Sequence, residues 1–166
     1  MTDRVLSLPM VVTIRDFEPD DQGFVSDMQY EALFVPPGEE PPDRAVLDTP
    51  GLSRYHAGLG GRVGDIGAIA VDADGSRLGA VWARFVPGGY GFVDECMPEL
   101  GIGVVRGHRG EGVGGRLLAW LLDRVDRCSL SVDDRNPAMR LYERMGFRFV
   151  RRDGDHAIVM AWERTA

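Results

Sequence analysis

Hydrophobic and polar residues follow two different periods along this chain, and the two periods predict a mixture of strands and helices. Runs with strand character cover residues 11–14, 66–71, 78–86, 99–105, 129–132, 147–151 and 157–162. Apolar residues recur at helical spacing in four other segments, which follow Pro19-Asp20, Thr49-Pro50, the glycines of residues 109–115, and Asn136-Pro137. The predicted order is strand, two helices, three strands, helix, strand, helix and two strands.

This order predicts the fold class. Asp74-Gly75 and Asp153-Gly154 are turn signals typical of hairpins, so strands on either side of them are expected to be antiparallel. The helix between the runs at 99–105 and 129–132 instead allows a parallel crossover. We therefore predict an α/β (α+β) fold, a mixed central sheet of about six to seven strands with helices on both faces.

Length and composition limit the class of protein. At 166 residues the chain is expected to form one domain over residues 11–166, after a flexible N-terminal extension at residues 1–10. Hydrophobic residues make up 44% and charged residues 27%, which is ordinary for a soluble globular protein. No apolar run reaches the length of a membrane span, and residues 1–12 make a poor signal peptide. We expect a cytoplasmic protein that does not bind membranes.

Charge and cysteine usage exclude further classes. The net charge of -7 argues against nucleic acid as a partner and gives a weak attraction for a cationic amine. The chain contains no lysine, so a lysine nucleophile is excluded. Cys96 and Cys128 are too few and too far apart for a disulfide framework, and the three histidines are scattered. We therefore expect no metal site.

A glycine-rich turn carries the densest chemical signal in the chain. It consists of Arg109, Gly110, Glu111, Gly112, Val113, Gly114 and Gly115. The turn follows a strand and opens an amphipathic helix, so its glycines let the backbone approach a ligand closely while several N–H groups point outward. The helix dipole adds positive potential there. These features suit a pyrophosphate, with Arg109 as a candidate for positioning or neutralising it.

The same turn also fits the dinucleotide-binding pattern, with Gly110, Gly112 and Gly115 at the required spacing. A dinucleotide domain, however, places this turn after its first strand and needs two strand-helix halves. Only about fifty residues follow the turn here, and they end in a hairpin, so we reject that interpretation. A glycine-rich turn that binds no ligand stays open as an alternative.

A second group of residues begins the next helix. Asn136 is a good N-cap, Tyr142 follows six residues later, and Gly146 precedes Phe147. Taken alone, Tyr142 is more typical of an amphipathic core position. This helix nevertheless starts at the same carboxyl-end edge of the sheet as the glycine turn, where ligands tend to bind. That placement makes Tyr142 a candidate site residue.

These two motifs resemble those of the GNAT superfamily of N-acetyltransferases. The resemblance rests on Arg109-x-x-Gly112-x-Gly114 after a strand, and on Asn136, Leu141-Tyr142 and Gly146-Phe147 in the following helix. The motifs stand in family order and at family spacing. The resemblance is strong over residues 99–147 and extends beyond them only through the order of elements.

The resemblance implies how acetyl-CoA would bind. The family holds it in a cleft where two parallel strands splay apart, here those at 99–105 and 129–132. Backbone groups of Val104 and Val105 would hold the pantetheine arm, and the N–H groups from Arg109 to Gly115 would hold the pyrophosphate. Asn136 and Tyr142 would face the thioester. An amine would attack the thioester directly, with backbone N–H near Val104 stabilising the oxyanion.

Two proton transfers then need side chains to carry them. The acceptor ammonium must lose a proton, and we nominate Glu99 as the base, acting directly or through water. Asp94 and Glu95 are rival bases, and a solvated role for Glu99 is equally open. The leaving thiolate needs an acid, for which the resemblance implies Tyr142. Neither cysteine is a strong nucleophile candidate.

The acceptor is the least constrained part of this hypothesis. The segments at 36–42 and 87–98 would border it, and Tyr90, Phe92 and Trp82 could line an apolar wall or belong to the core. Gly101 and Gly103 indicate a bulge or a close approach by the pantetheine arm. A small-molecule or peptide amine is a suitable acceptor. Members of the family are often dimers, so a homodimer is possible. An acyl donor longer than acetyl-CoA is a further alternative. A non-catalytic acyl-CoA-binding module is the main alternative; a nicotinamide enzyme is a distant third.

Overall fold

A seven-stranded mixed sheet forms the centre of the structure, a computed structural model that describes residues 9–166. The strands are β1 (Thr13–Asp16), β2 (Ile66–Val71), β3 (Arg77–Arg84), β4 (Glu99–Val104), β5 (Arg127–Asp133), β6 (Arg148–Asp153) and β7 (Ala157–Glu163). Their order across the sheet is β1-β2-β3-β4-β5-β7-β6, and only β4 and β5 pair in parallel. The predicted fold class is confirmed. Most of the expected N-terminal extension, residues 1–8, lies outside the described residues.

Within residues 9–166, four α-helices connect the strands in the predicted order, but α4 begins at Met139 after Ala138 and not directly after the predicted N-cap Asn136. They are α1 (Gln22–Glu31), α2 (Pro50–His56), α3 (Val113–Leu122) and α4 (Met139–Arg144). Thr49 precedes α2 in an extended conformation, as expected of a residue followed by proline. Gly146 follows α4 with φ 96°, the left-handed conformation that commonly ends a helix. None of the helices between residues 9 and 166 has the length and apolar character that a membrane crossing requires.

Both faces of the sheet are covered by helices because strand side chains alternate between the faces. On one face, α3 contributes Leu117, Leu118 and Leu121 to a core that includes Val81 and Ala83 of β3. On the other face, Val25 and Met28 of α1 pack with Trp82 and its neighbours. The helices therefore hold the middle of the sheet between two apolar cores.

The parallel pair opens soon after it begins. Strand β4 pairs with β3 over its whole length, from Glu99 to Val104. It pairs with β5 only where Glu99 lies opposite Ser129. Past this point, β5 continues its pairing with β7 up to Asp133. The carboxyl-terminal halves of β4 and β5 thus separate and leave a gap in the sheet, which confirms the predicted splayed pair.

The glycines of β4 have a different cause from the one the sequence suggested. A Cβ atom on Gly101 would lie 2.4 Å from the Trp82 ring, and one on Gly103 would lie 2.4 Å from the carbonyl oxygen of Met28. The pairing of β4 with β3 shows no bulge. Gly101 and Gly103 are therefore explained by the close approach of Trp82 and α1 to the strand.

Candidate active site

A cavity of about 480 Å³ occupies the gap between β4 and β5. Its floor includes Leu100 and Ile102 of β4 and Leu130 of β5. The cavity extends on one side to Asn136 and Tyr142, and on the other to the end of α1, to α2 and to the loop that contains Tyr90. Both nominated catalytic residues, Glu99 and Tyr142, line this one cavity.

Glu99 is almost fully enclosed, with 3% of its surface exposed. Its Oε1 accepts hydrogen bonds from the Gly91 N–H and, at 3.3 Å, from the Tyr55 hydroxyl. Its Oε2 is buried and has no hydrogen-bond partner among residues 9–166. Burial raises the pKa of Glu99, and the two hydrogen bonds only partly oppose this effect. A carboxyl group of this kind suits proton transfer nearer to neutral pH.

The rival bases do not share this environment. Asp94 forms an ion pair with Arg127 at 2.9 Å, and Glu95 is exposed. Neither belongs to the cavity wall, whereas Glu99 does. The geometry therefore favours Glu99 over Asp94 and Glu95, although its role as a base stays a prediction.

Tyr142 lines the same cavity from α4. Its ring packs against Phe147 with 5.8 Å between ring centroids, and 8% of the residue is exposed. Burial raises the pKa of Tyr142 to about 12, so the phenol stays protonated. Its hydroxyl has no hydrogen-bond partner within the described chain. Asn136 lines the cavity nearby, and its Oδ1 accepts a hydrogen bond from the Ala138 N–H at 2.9 Å.

The backbone of β4 offers hydrogen-bonding groups to the gap at alternate residues. The Val105 N–H donates to the Leu78 oxygen at 2.8 Å, and the Val105 oxygen accepts from the His108 N–H at 2.8 Å. Backbone groups alternate in direction along a strand, so those of Ile102 and Val104 point away from β3. Val104 therefore offers its backbone N–H to the gap, while its oxygen accepts from Arg109 Nε at 3.4 Å. Both backbone groups of Val105 are already hydrogen-bonded, so its contact with the pantetheine arm stays a prediction without a free group behind it.

The glycine turn forms a cradle of free backbone N–H groups before α3. Gly110 and Gly112 have φ values of 77° and 83°, which an L-residue rarely adopts. The first N–H of this region that donates to a backbone carbonyl belongs to Arg116, which bonds to Gly112 at 3.2 Å. Within residues 9–166, no N–H from Gly110 to Gly115 has an acceptor. Buried Val113 anchors the start of the helix in the core.

The charged side chains of this turn bond to other residues of the protein and do not point into the cradle. Arg109, predicted to position or neutralise a pyrophosphate, donates to the Glu31 carboxylate at 3.1 Å and to the Glu31 backbone oxygen at 2.9 Å. Its Nε also contacts the Val104 oxygen at 3.4 Å. Glu111 pairs with His108 at 3.1 Å and points into solvent. The cradle is thus formed by backbone N–H groups, while Arg109 ties the turn to the end of α1.

Replacing Gly112 by Ala is expected to strain this cradle. A left-handed backbone costs an L-residue about 1–2 kcal/mol, so the free energy of unfolding should fall by that amount in denaturant titrations. Binding of acetyl-CoA, the ligand that the resemblance implies, should weaken as well. Gly107→Ala is the matched control because Gly107 has no positive φ and a Cβ there meets open space. Equal stability of the two variants would contradict the strain argument.

Several cavity residues were not identified from the sequence. Tyr55 lies on the helix predicted after Thr49-Pro50, and it donates to Glu99 and accepts from the Tyr90 N–H at 2.6 Å. Gln29 also lines the cavity, from the last turn of α1. Of the proposed aromatic wall, Tyr90 lies in the cavity, whereas Trp82 is 1% exposed and belongs to the core. Only the contact between α2 and the loop at Tyr90 reveals the role of Tyr55.

An acidic cluster next to the cavity was also not foreseen. Oxygen and nitrogen atoms of Asp133, Asp134 and His156 lie within 4.8 Å of one another. A hydrogen bond from Arg135 lowers the pKa of Asp133 to about 2, and Asp134 pairs with Arg152 at 2.8 Å. These ion pairs satisfy the carboxylates, so the cluster joins the end of β5 to the β6–β7 hairpin. The low pKa also makes Asp133 a poor base.

Comparison with known proteins places this geometry in a family. A sequence model described as the acetyltransferase (GNAT) family matches residues 29–147. No curated protein sequence matches the chain. Among solved structures, a putative acetyltransferase from Acinetobacter baylyi superimposes with a TM-score of 0.67 at 15% identity, covering 93% of each chain.

Two further solved structures carry named activities. A phosphinothricin acetyltransferase of the GNAT superfamily from Sinorhizobium meliloti, in complex with acetyl-CoA, has a TM-score of 0.64 at 21% identity over 93% of this chain and 89% of its own. Mutant forms of a spermidine/spermine N-acetyltransferase from Vibrio cholerae give 0.57 at 20% identity over 92% and 95%. These likenesses support the fold, and the family model covers more than half of the chain. The chain therefore belongs to the GNAT family of acetyltransferases.

Proposed function

We propose that this protein is an acetyl-CoA-dependent N-acetyltransferase that acts on a primary amine in a ternary complex. The observation that carries the proposal is the single cavity lined by Glu99 and Tyr142 at the gap between β4 and β5. The cavity wall thus contains a buried carboxyl group and a buried phenol, which can serve as the two proton-transfer groups that the reaction needs. Membership of the GNAT family supports acetyl-CoA as the donor.

The chain offers suitable groups for the pyrophosphate, the pantetheine arm and the thioester of acetyl-CoA. The unpaired N–H groups from Gly110 to Gly115 suit the pyrophosphate, since helix starts of this kind bind anions. The backbone of Val104 faces the gap and suits the amide groups of the pantetheine arm. Asn136 and Tyr142 border the cavity at the thioester end. Acetyl-CoA supplies an acetyl thioester, whose carbonyl carbon is open to attack by an amine.

The proton transfers follow from the two environments. Glu99 accepts a proton from the acceptor ammonium, directly or through a water molecule, and so generates the neutral amine that attacks. Tyr142, which lines the cavity as a protonated phenol, would donate its hydroxyl proton to the leaving thiolate of CoA. The backbone N–H groups of Ile102 and Val104 point into the gap and can donate to the carbonyl oxygen as its negative charge develops.

Transfer without a covalent enzyme intermediate is supported by the cysteines. Cys128 is fully buried in β5, and burial raises its pKa to about 12, so its thiol stays protonated. Cys96 is exposed, and it is not part of the cavity wall. Neither thiol therefore meets the requirements of a nucleophile that carries the acetyl group.

The first test of this proposal is ligand-dependent thermal stability. A ligand present at 100 times its dissociation constant should stabilise the protein by about 2.7 kcal/mol, which raises the melting midpoint by several degrees. We expect acetyl-CoA and CoA to raise the midpoint and NAD to leave it unchanged. If neither CoA compound has an effect, the glycine turn is a structural turn and the proposed function is wrong.

A further inference from the structure

The acceptor half of the cavity has mainly apolar walls. It lies between the end of α1, the segment before α2, α2 itself and the loop at Tyr90. The side chains that form these walls are Leu33, Phe34, Val46, Leu52, Tyr55 and Tyr90. The two tyrosine rings stack with 6.0 Å between their centroids and 5° between their planes. Hydrogen bonds from the Tyr55 hydroxyl to Glu99 and from the Tyr90 N–H to that hydroxyl fix this arrangement.

The charged side chains of the described residues that line the cavity are all negative. Glu99 and Asp133 both line it, while no arginine or histidine of residues 9–166 does, and the chain has no lysine. The nearby arginines do not line the cavity, but they approach its wall from outside. Arg54 lies 5.6 Å and 5.7 Å from the ring centroids of Tyr55 and Tyr90 and donates to the Gly88 oxygen, Arg151 donates to the Phe92 oxygen, and Arg135 is paired with Asp133.

Glu99 supplies one unsatisfied acceptor in this apolar setting. Its Oε2 is buried without a partner in the described chain, while Oε1 is occupied by Gly91 and Tyr55. A buried carboxylate oxygen of this kind is stabilised by a cationic donor and destabilised by a second anion. Glu99 lines the cavity, so an ammonium group bound next to its carboxylate would offset the cost of burying this charge and would stand beside the base that deprotonates it.

We propose that the acceptor is a primary amine with an apolar or aromatic body and no carboxylate or phosphate near the amine. This inference rests on the proposed function and names the substrate class of the same site. The apolar walls favour burial of a hydrocarbon or aromatic group. An acceptor carboxylate would lie in the same cavity as Glu99, and none of the described residues that line the cavity is a cation that could pair with it, which costs free energy. Free α-amino acids are therefore disfavoured.

Matched amine pairs test this proposal directly. Phenethylamine and phenylalanine differ only by the carboxylate, as do isopentylamine and leucine, and CoA release measures kcat/KM for each with acetyl-CoA. We expect kcat/KM for each amine to be about 100-fold or more above that for the matching amino acid.

The outcomes separate the substrate class from the function itself. Equal or faster acetylation of phenylalanine or leucine overturns the acceptor proposal and leaves acetyl transfer standing. Thermal stabilisation by acetyl-CoA without acetylation of any amine in the panel also overturns the acceptor class. Failure of acetyl-CoA to stabilise the protein instead removes the proposed function, on which this inference rests.

A charge introduced into the wall gives a second test. Leu52 lines the cavity and is partly exposed, so Leu52→Arg can place a cation there without burying it fully. We expect this variant to narrow the preference for phenethylamine over phenylalanine by about tenfold or more. Ser53→Arg adds the same charge one residue along α2, outside the cavity wall, and should keep the wild-type ratio. An unchanged ratio in Leu52→Arg, with a wild-type melting midpoint, would refute the charge argument.

Discussion

Replacing Tyr142 by Phe is expected to lower kcat by about 10²- to 10⁴-fold while the protein keeps its affinity for acetyl-CoA. The substitution removes one oxygen that has no hydrogen-bond partner in the described chain. The ring itself packs on Phe147, so the core contacts survive. Because burial raises the pKa of Tyr142 to about 12, its proton is available to the leaving thiolate throughout the neutral range.

Rate measurements with saturating acetyl-CoA, combined with ligand-dependent melting midpoints, separate the chemical step from binding. Tyr30→Phe is the matched control, since the Tyr30 hydroxyl donates to the Pro42 oxygen at 2.6 Å in an exposed position outside the cavity. It should keep the wild-type kcat. A Tyr142→Phe variant with wild-type kcat would assign the acid role to another group. Acetyl-CoA binding without acetylation of any amine by the wild type would favour the acyl-CoA-binding module.

Features with local causes could be predicted from the sequence. Gly112 and Gly146 occupy left-handed positions at the start of α3 and the end of α4, and glycine is the residue that such positions select. Together with the hairpin signals, these glycines predicted the order of elements and the edge of the sheet at which the cavity lies. The family resemblance then added acetyl-CoA as the ligand of that edge, which periodicity alone does not indicate.

Features that depend on contacts between distant segments could not be predicted. Tyr55 and Glu99 are 44 residues apart, and their hydrogen bond exists because α2 packs over the start of β4. Arg109 binds Glu31, 78 residues away, so its charge is shared with a carboxylate that no local pattern reveals. Gly103 makes room for the backbone of α1, yet in the sequence it is indistinguishable from a glycine that makes room for a ligand.

Replacing Glu99 by Gln should raise stability and lower activity in the same molecule. Burial raises the pKa of Glu99, so the folded protein binds this proton more tightly than the unfolded chain does. The free energy of unfolding of the wild type therefore falls as pH rises from the ordinary glutamate range through the folded-state pKa. Glutamine cannot ionise, and its amide can still accept from Gly91 and Tyr55. At pH values above the ordinary glutamate range, the variant should be more stable than the wild type. Each kcal/mol gained in the free energy of unfolding should raise the melting midpoint by about 2–4 °C.

Activity should change in the opposite direction because a general base must be ionised. Wild-type kcat/KM is expected to rise with pH through the raised pKa of Glu99, and Glu99→Gln should lose this limb together with about 10²- to 10⁴-fold in rate. Glu95→Gln removes an exposed carboxylate from the preceding loop and should leave both the melting curve and the pH profile unchanged.

The two readouts of Glu99→Gln test different parts of the argument. A variant less stable than wild type at pH 8 would show that the hydrogen bonds from Gly91 and Tyr55 outweigh the cost of burying the charge. A variant that keeps the rising limb of the pH profile would show that another group accepts the proton from the amine. If stability rises and that limb disappears, the same buried carboxylate both costs folding free energy and supplies the base, because both effects follow from its separation from water.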